Sequence, residues 1–217
     1  MSGVIPPPIP TEAAPAEAGR VRILGEARVH FFARGYSGFT MDELAADLGM
    51  SKKTLYIHFA GKDEIIAALI DELGREIRAD ADALLHSRQL NFAEKLRGFV
   101  ESIAERLTAV NPHTLRDLQR YAPALFQRVA DMRERNIPYV FGRFVEEGQI
   151  AGLVRDDLPP GFAIEFYLQA MHGLLQPAPL ERLKLVPREV IRHAVDLFFG
   201  GLLTPAGRKQ YEKLFPR

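Results

Sequence analysis

The sequence contains no cysteine, which excludes disulfide bonds, thiolate chemistry and zinc sites built on cysteine ligands. It also has no net charge, because 28 basic side chains balance 28 acidic ones, so overall charge does not indicate a polyanion partner. Its longest uncharged apolar run, residues 166–180, contains His172, Gln176 and two prolines and is too short to cross a bilayer as a helix. These absences predict a cytoplasmic protein without a membrane span.

Two further absences concern the start of the chain and the secondary structure. Residues 1–19 are rich in proline and alanine and lack the basic start and the apolar run of a secretory signal, so we interpret them as a disordered tail. No convincing run in the rest of the chain alternates apolar and polar residues, whereas helical spacing recurs almost throughout. The sequence therefore predicts an all-α fold.

The usual catalytic motifs are also missing. The chain has no H-E-x-x-H pair for zinc and no G-x-S-x-G turn for a nucleophilic serine, and its six histidines are scattered. The segment "GYSG" at residues 35–38 lacks the pattern of a phosphate-binding loop. We therefore predict that the protein is not an enzyme and that it needs no metal and no cofactor.

What is present begins with an uneven distribution of charge. Residues 20–62 hold seven Lys/Arg against four Asp/Glu, so any site for a polyanion should lie near the N-terminus. After a first helix at about 20–33, Thr40 with Glu43 forms the pattern of a capping box, and Gly49 ends the short helix that follows. Ser51 can cap a second helix over residues 52–58. Two short helices with a tight turn predict a helix-turn-helix.

The second helix of this pair would expose a basic surface. If Leu55 points inward, Lys52, Lys53, Tyr56 and Ile57 remain outside, toward the end that such a helix presents to a major groove. A capped helix pair with exposed lysines also occurs in proteins that never bind DNA. Lys62, in the first turn of the next helix, is equally ambiguous, since either a phosphate or its acidic neighbours could balance its charge.

Residues 20–73, which include "ILGEARVHFFARGYSGFTMDELAADLGMSKKTLYIHFAGKDEII", resemble the DNA-binding domain of the TetR/AcrR family of bacterial transcriptional regulators. The resemblance implies that Tyr56 binds phosphate and that Lys53 contacts either a base or a phosphate, while core packing is the alternative for Tyr56 and His58. The DNA-contacting positions that it implies are Thr40, Lys52, Lys53, Thr54, Tyr56, Ile57, His58 and Lys62.

The remaining chain reads as a separate helical body. An apolar stripe from Ile65 to Leu85 predicts one long linking helix. We then expect a helix capped by Asn91, another with Asn111 as its cap, a long helix over 123–148 with a kink or break at Pro138, and helices at 161–175 and 188–203. The predicted domains are the tail at 1–19, a helix-turn-helix domain at 20–62, and a helical domain at 63–217, with the linking helix beginning near residue 62.

The last two predicted helices are apolar on more than one face, and a second apolar face needs a partner. The resemblance implies that these helices pair with their copies in a homodimer, although the chain's own helices could also cover both faces. The predicted interface consists of Phe162, Phe166, Ala170, Leu174, Leu175, Ile191, Val195, Phe198 and Leu202.

The resemblance also implies a small-molecule effector enclosed in the C-terminal body. A largely apolar effector, with a polar or charged end, is the least specific expectation. The candidate contacts are Phe99, His113, Arg116, Arg120, Tyr121, Phe126, Gln127, Phe144, Tyr167, Met171 and His172. The function that follows is a repressor released from a near-palindromic double-stranded DNA operator by this effector; the alternative is a helical ligand-binding carrier or adaptor without DNA binding.

Overall fold

The structure, a computed structural model, describes residues 15–214, and this part of the chain is built from eleven α-helices without a β-strand. The predicted all-α fold is therefore confirmed. The helices are α1 Pro15–Arg34, α2 Met41–Asp47, α3 Lys52–His58, α4 Lys62–His86, α5 Phe92–Thr108, α6 Thr114–Tyr121, α7 Pro123–Ile150, α8 Pro160–Leu174, α9 Pro177–Leu183, α10 Pro187–Leu202 and α11 Pro205–Leu214.

Helices α1 to α3 and the first turns of α4 enclose the smaller of two hydrophobic cores. Phe39, Leu44 and Leu55 are fully buried there, so α2 and α3 each point one apolar side inward. The Thr40 hydroxyl accepts a hydrogen bond from the Glu43 N–H at 3.2 Å, and Ser51 caps α3 in the same way through the Thr54 N–H at 3.0 Å. These caps satisfy backbone donors at both helix starts.

Helices α4 and α7 join this core to the larger one. The first half of α4 packs Ile65, Ile66 and Leu69 into the smaller core, while Ile77 and Leu84 lie against the larger core. The larger core holds the inner faces of α5, α7, α8 and α10. Since α4 has no break between residues 62 and 86, it is the rigid link that the apolar stripe predicted.

The first helix begins earlier than predicted. Residues 15–19, assigned to the tail from sequence, form the first turn of α1, and residues 1–14 of that predicted tail lie outside the described residues. The extension is explained by packing. A Cβ atom on Gly19 would lie 2.9 Å from the His58 ring, so a larger residue here would require the ring to move, and glycine lets α1 approach α3 closely.

Helix α6 begins two residues later than predicted, because Asn111 serves another purpose. Its N–H donates to the Phe32 carbonyl at 2.7 Å, and its side-chain amide donates to the Ala33 carbonyl at 3.2 Å. Asn111 thus binds the free carbonyls at the end of α1, and α6 starts at Thr114. The segment between α5 and α6 is thereby fixed to the N-terminal domain.

Of the kink or break predicted at Pro138, the break does not occur, since α7 is helical from Pro123 to Ile150. Pro138 lies on the exposed side of α7, where solvent can serve the carbonyl group that loses its helical donor. Two short helices, α9 and α11, were not predicted, and each begins with a proline at its first position. Between residues 15 and 214, no helix combines the length and the hydropathy needed to cross a membrane.

Candidate functional site

The outer face of α3 is the most exposed apolar and basic surface of the N-terminal domain. Ile57 is 74% exposed and Tyr56 is 51% exposed, while Leu55 beneath them is fully buried. Lys53 is exposed and has no ion pair with any residue between 15 and 214. An isoleucine that gains nothing from the core and stands beside a free lysine fits a surface that is covered by another molecule.

Helix α3 is held rigidly from below. The guanidinium group of Arg20 on α1 donates to the His58 carbonyl at 3.1 Å and lies 4.0 Å from the centre of the Phe59 ring, which is buried. His58 is half-buried against Gly19. His58 therefore helps to fix the end of α3, which agrees with the packing alternative for this residue, whereas Tyr56 is not in the core.

Three predicted contact residues already have partners near α3. The Lys52 ammonium lies 2.6 Å from a carboxylate oxygen of Asp42 on α2. The Thr40 hydroxyl accepts from the Glu43 N–H and donates to the Glu43 carboxylate at 2.8 Å, so the capping box forms only on one side. The Thr54 hydroxyl shares a hydrogen bond with Ser51. All of these groups are at the surface, where exchange for another partner costs little.

Lys62 has a different environment from the one that the sequence predicted. Its ammonium group donates to the carbonyl groups of Tyr36 at 2.6 Å and Phe39 at 2.9 Å and lies 3.9 Å from the centre of the Tyr36 ring. Burial lowers the pKa of Lys62, and the carboxylates of Asp63 and Asp117 oppose this effect. Lys62 therefore fixes the turn between α1 and α2 instead of pointing into solvent.

A second candidate site is a cavity of about 180 Å³ between the helices of the C-terminal body and the end of α1. Helices α4, α5, α6, α7, α8 and α10 contribute its walls, and α1 adds Phe31 and Phe32 from the N-terminal domain. The lining is apolar except for a few side chains, of which the informative ones are Thr114, Arg133 and Tyr167. A ligand in this cavity would contact both domains at once.

Only three of the predicted effector contacts line this cavity, namely Phe99, Tyr167 and Met171. The other predictions are corrected because α6 turns its polar face outward and buries Leu115 and Leu118 instead. His113 and Arg116 border a separate surface groove beside α9, Phe126 packs between the two cores, Phe144 is fully buried in the larger core, His172 lies outside the lining, and Arg120, Tyr121 and Gln127 are exposed.

Sequence analysis missed Arg133 on α7. It lines the cavity on the same helix face as Val129, Ile137 and Val140, one turn before and one and two turns after it. No residue from 15 to 214 forms a hydrogen bond, an ion pair or a ring contact with its side chain, and no aspartate or glutamate among them lines the cavity. Burial lowers the pKa of Arg133 to about 10, so the guanidinium group is still charged at neutral pH.

The predicted dimer interface divides into two groups. Phe162 and Phe166 on α8 are 63% and 65% exposed, one turn apart, and Ala170 and Leu174 are half-buried on the same helix. Leu175, Val195, Phe198 and Leu202 are buried in the chain's own core and Ile191 lines the cavity, which corrects their assignment to the interface. On α10 the exposed apolar residue is Leu197, at 79%.

One group of side chains has the composition of a metal site. His30 on α1 lies with its Nε2 atom 2.8 Å from an Asp47 carboxylate oxygen and 3.4 Å from one of Glu26. His30 is 4% exposed, and its Nε2 atom, which would be the metal ligand, is already in contact with these two carboxylates. We interpret the group as a polar contact that holds α1 against the end of α2.

Comparison with known proteins finds a family model that matches part of the N-terminal region. Residues 23–69 match the sequence model described as "Bacterial regulatory proteins, tetR family". The chain is 24% identical over 181 residues to the HTH-type transcriptional regulator YvaF of Bacillus subtilis (strain 168), which covers 83% of this chain and 94% of that protein.

Two further comparisons extend over both domains. The chain is 22% identical over 180 residues to the HTH-type transcriptional repressor DhaR of Mycobacterium sp. (strain GP1). The match covers 80% of this chain and 86% of that protein. Its fold is similar to the crystal structure of a transcriptional regulator from Cytophaga hutchinsonii ATCC 33406, with a TM-score of 0.63 at 17% identity over 86% of this chain and all of that one. The likeness in fold therefore includes the helical body that follows α4.

Proposed function

This chain belongs to the tetR family of bacterial regulatory proteins, and on that premise we propose that it represses transcription from a near-palindromic operator and is released by a small-molecule effector. Membership makes it a DNA-binding transcriptional regulator and not an enzyme. The name of the relative DhaR, a transcriptional repressor, supports repression as opposed to activation.

The exposed face of α3 supports major-groove binding by this helix. Lys53 and Ile57 lie one turn apart on the solvent side, where a cation can reach guanine acceptors and an aliphatic side chain can contact a thymine methyl group. The exposed Tyr56 ring can place its hydroxyl against a phosphate. Lys52 would exchange Asp42 for a phosphate or a base, because its surface ion pair is weak.

The exposed residues of α8 and α10 support a homodimer. Phe162 and Phe166 form an apolar stripe on α8 that the chain itself leaves in solvent, and Leu197 is likewise exposed on α10. A second copy would bury these side chains across a two-fold axis. Two reading heads related by such an axis require half-sites about 34–36 Å apart, or a multiple of that spacing.

The single observation that carries the release mechanism is the shared wall of the cavity. Phe31 and Phe32 at the end of α1, together with the first half of α4, face the same space as the helices of the C-terminal body. Asn111 binds the last carbonyls of α1, so a displacement of α6 acts directly on the N-terminal domain. A ligand that fits only one arrangement of these walls shifts the equilibrium between DNA-binding and released states.

An ion-pair network connects the same elements on the outside. Arg28 on α1 binds Glu72 at 3.0 Å and Glu76 at 2.7 Å on α4, and Arg106 on α5 binds Glu76 and Asp80 at 2.6 Å each. A shift of α4 relative to α5 would therefore move α1 with it. Allosteric coupling of about 1–3 kcal/mol, or roughly 5- to 150-fold in affinity, is the typical range for such a switch.

A gel-shift experiment with the DNA upstream of the protein's own gene tests the proposal. We expect the parent protein to shift this fragment, and the double variant Lys53→Ala and Ile57→Ala to lose preference for it over random DNA. Tyr121→Ala is the matched control, since Tyr121 is exposed on α6, away from α3. A parent protein that binds the fragment and random DNA equally would contradict the operator, and an unaffected double variant would contradict the reading role of α3.

A further inference from the structure

Arg133 is a half-buried, charged side chain that lines a largely apolar cavity and has no counter-charge there in the described part of the chain. Removing a charge from water without pairing it costs several kcal/mol, so buried charges are normally paired or bind a ligand. Other arginines of the C-terminal body do have partners: Arg106 binds Asp80, and Arg143 binds Asp82. Arg133, by contrast, has none among residues 15–214, and yet it faces the enclosed space.

Thr114 and Tyr167, which carry hydroxyl groups, line the same cavity. The Thr114 Oγ1 atom is buried and has no hydrogen-bond partner, and Thr114 itself is 4% exposed at the start of α6. Tyr167 on α8 is 3% exposed, and burial raises the pKa of its hydroxyl because the phenolate would lose hydration. Its hydroxyl forms no hydrogen bond within the described part of the chain. Buried polar groups are normally hydrogen-bonded, so the donors of Arg133 and Tyr167 in one cavity indicate a ligand with acceptors.

We infer that the effector is an amphipathic monocarboxylate, whose carboxylate binds the guanidinium group of Arg133 and whose short hydrocarbon part fills the apolar cavity. The inference rests on the proposed function, since it names the ligand of the same site. The planar guanidinium group offers two parallel N–H donors that match a carboxylate, and the hydroxyl group of Tyr167 can donate to a further lone pair.

The charge and the volume of the cavity restrict the chemical class of the ligand. Arg133 is the only cation among the residues that line the cavity, so a monoanion is neutralised, whereas a phosphate dianion would keep a net negative charge in an apolar space. The volume of about 180 Å³ is close to that of the engineered cavity of about 150 Å³ that holds benzene. A single ring or a short chain therefore fits, and octanoate and 3-phenylpropionate are suitable probes.

Calorimetric titration of the full chain separates the carboxylate from the hydrocarbon. Octanoate, 1-octanol and octylamine share one chain and differ only in the head group. We expect octanoate to bind about 10- to 100-fold more tightly than 1-octanol, since a hydrogen-bonded charge pair in an apolar site adds that much, and octylamine to bind most weakly. If 1-octanol binds as tightly as octanoate, and 3-phenylpropionate no more tightly than its alcohol, the inference is wrong.

Variants of Arg133 assign the effect to this side chain. Arg133→Met should reduce octanoate affinity to that of 1-octanol and leave 1-octanol binding within about twofold. Arg135→Met is the matched control, because Arg135 is exposed on the same helix and does not line the cavity. If Arg133→Met does not fold, Arg133→Gln provides the neutral side chain. A preference for octanoate that survives in either neutral variant overturns the assignment.

Thermal unfolding distinguishes a ligand anchor from a merely structural arginine. Without ligand, Arg133→Met should raise the melting temperature by about 2 °C or more, because it removes an unpaired charge from an apolar site. Saturating octanoate should raise the melting temperature of the parent chain and of Arg135→Met, but not that of Arg133→Met. A lower melting temperature of unliganded Arg133→Met, together with unchanged stabilisation by octanoate, would show that Arg133 is structural.

A gel shift in the presence of octanoate keeps this inference distinct from the proposed release. If octanoate binds through Arg133 and weakens the complex with upstream DNA, both hold. If octanoate binds through Arg133 and DNA affinity stays the same, the release mechanism fails and the ligand assignment stands. If another compound releases the DNA and no carboxylate binds, the release mechanism holds and the carboxylate assignment is overturned.

Discussion

Replacing Lys62 by methionine tests whether this lysine binds the protein or DNA. Methionine keeps the apolar stem against the Tyr36 ring and removes the ammonium group that donates to the carbonyls of Tyr36 and Phe39 at 2.6 and 2.9 Å. Hydrogen bonds to charged groups contribute about 1.5–3 kcal/mol each when buried. Because Lys62 is only half-buried, we expect a loss of about 2 kcal/mol for the pair together.

The stability assay is thermal or urea unfolding of the parent and Lys62→Met. For a chain of this length, about 2 kcal/mol corresponds to a decrease in melting temperature of roughly 4–8 °C. Lys53→Met is the matched control, because Lys53 is exposed and has no ion pair in the described chain. Its stability should stay within about 0.5 kcal/mol of the parent.

The salt dependence of DNA binding gives the second, independent measurement. Each lost phosphate contact decreases the slope of log affinity against log salt by about 0.9, so a homodimer that loses two contacts changes by about 2. We expect Lys62→Met to weaken binding, through a displaced turn between α1 and α2, without changing this slope. A stable Lys62→Met with a reduced slope would refute the reasoning and assign the ammonium group to a phosphate.

Two further changes test the assembly and the electrostatics of the contact between α4 and α7. Phe166→Asp should give a folded monomer by light scattering, because Phe166 is 65% exposed. Phe198→Asp should instead unfold the chain, since Phe198 is 7% exposed in the chain's own core. A dimeric Phe166→Asp variant would show that the interface lies elsewhere. Arg128→Met should lower stability by less than about 1 kcal/mol, because Arg128 binds Asp71 at 2.5 Å at the surface and lowers the pKa of that carboxyl group below 3.8. This difference should be present at neutral pH and disappear as pH falls below 3.8 through the lowered pKa of Asp71, as urea unfolding at several pH values can measure.

The helix-turn-helix could be predicted from sequence because its determinants are local. Thr40 and Ser51 each cap the helix that follows within three residues, and Gly49 adopts a left-handed conformation with φ of 62° in the turn between them. Leu55 points inward as the helical period requires. Local hydrogen bonding and helical period fix these features regardless of the rest of the chain.

The interface and the partners of Lys62 depend on residues far apart in sequence. The apolar period on α8 and α10 indicated more than one apolar face, but it does not distinguish the face that covers the chain's own core from a face left to a partner. Phe198 and Leu197 are neighbours in sequence and lie on opposite sides of that division. Lys62 binds carbonyl groups more than twenty residues away, and no local pattern encodes these contacts.

Arg133 did have a signal in the sequence, because it occupies an apolar stripe of α7 between Val129 and Ile137. A charge in such a stripe requires either a carboxylate partner on a facing helix or a ligand. The structure provides no such carboxylate partner, since no aspartate or glutamate among the described residues lines the cavity. Sequence thus indicated an anomaly whose meaning depends on tertiary structure.

The position of the cavity determines how strongly a ligand can act on DNA binding. A ligand changes an equilibrium only as far as its affinities for the two states differ. Because α1, α4 and α6 form part of the cavity wall, a rearrangement of the N-terminal domain changes the contacts around the ligand itself. Thr114 connects the two ends of this path: the residue lines the cavity, and its hydroxyl oxygen lies 3.7 Å from where a Cβ on Gly35 would be, in the turn that Lys62 fixes. Linkage then requires bound DNA to weaken the ligand by the factor by which the ligand weakens DNA.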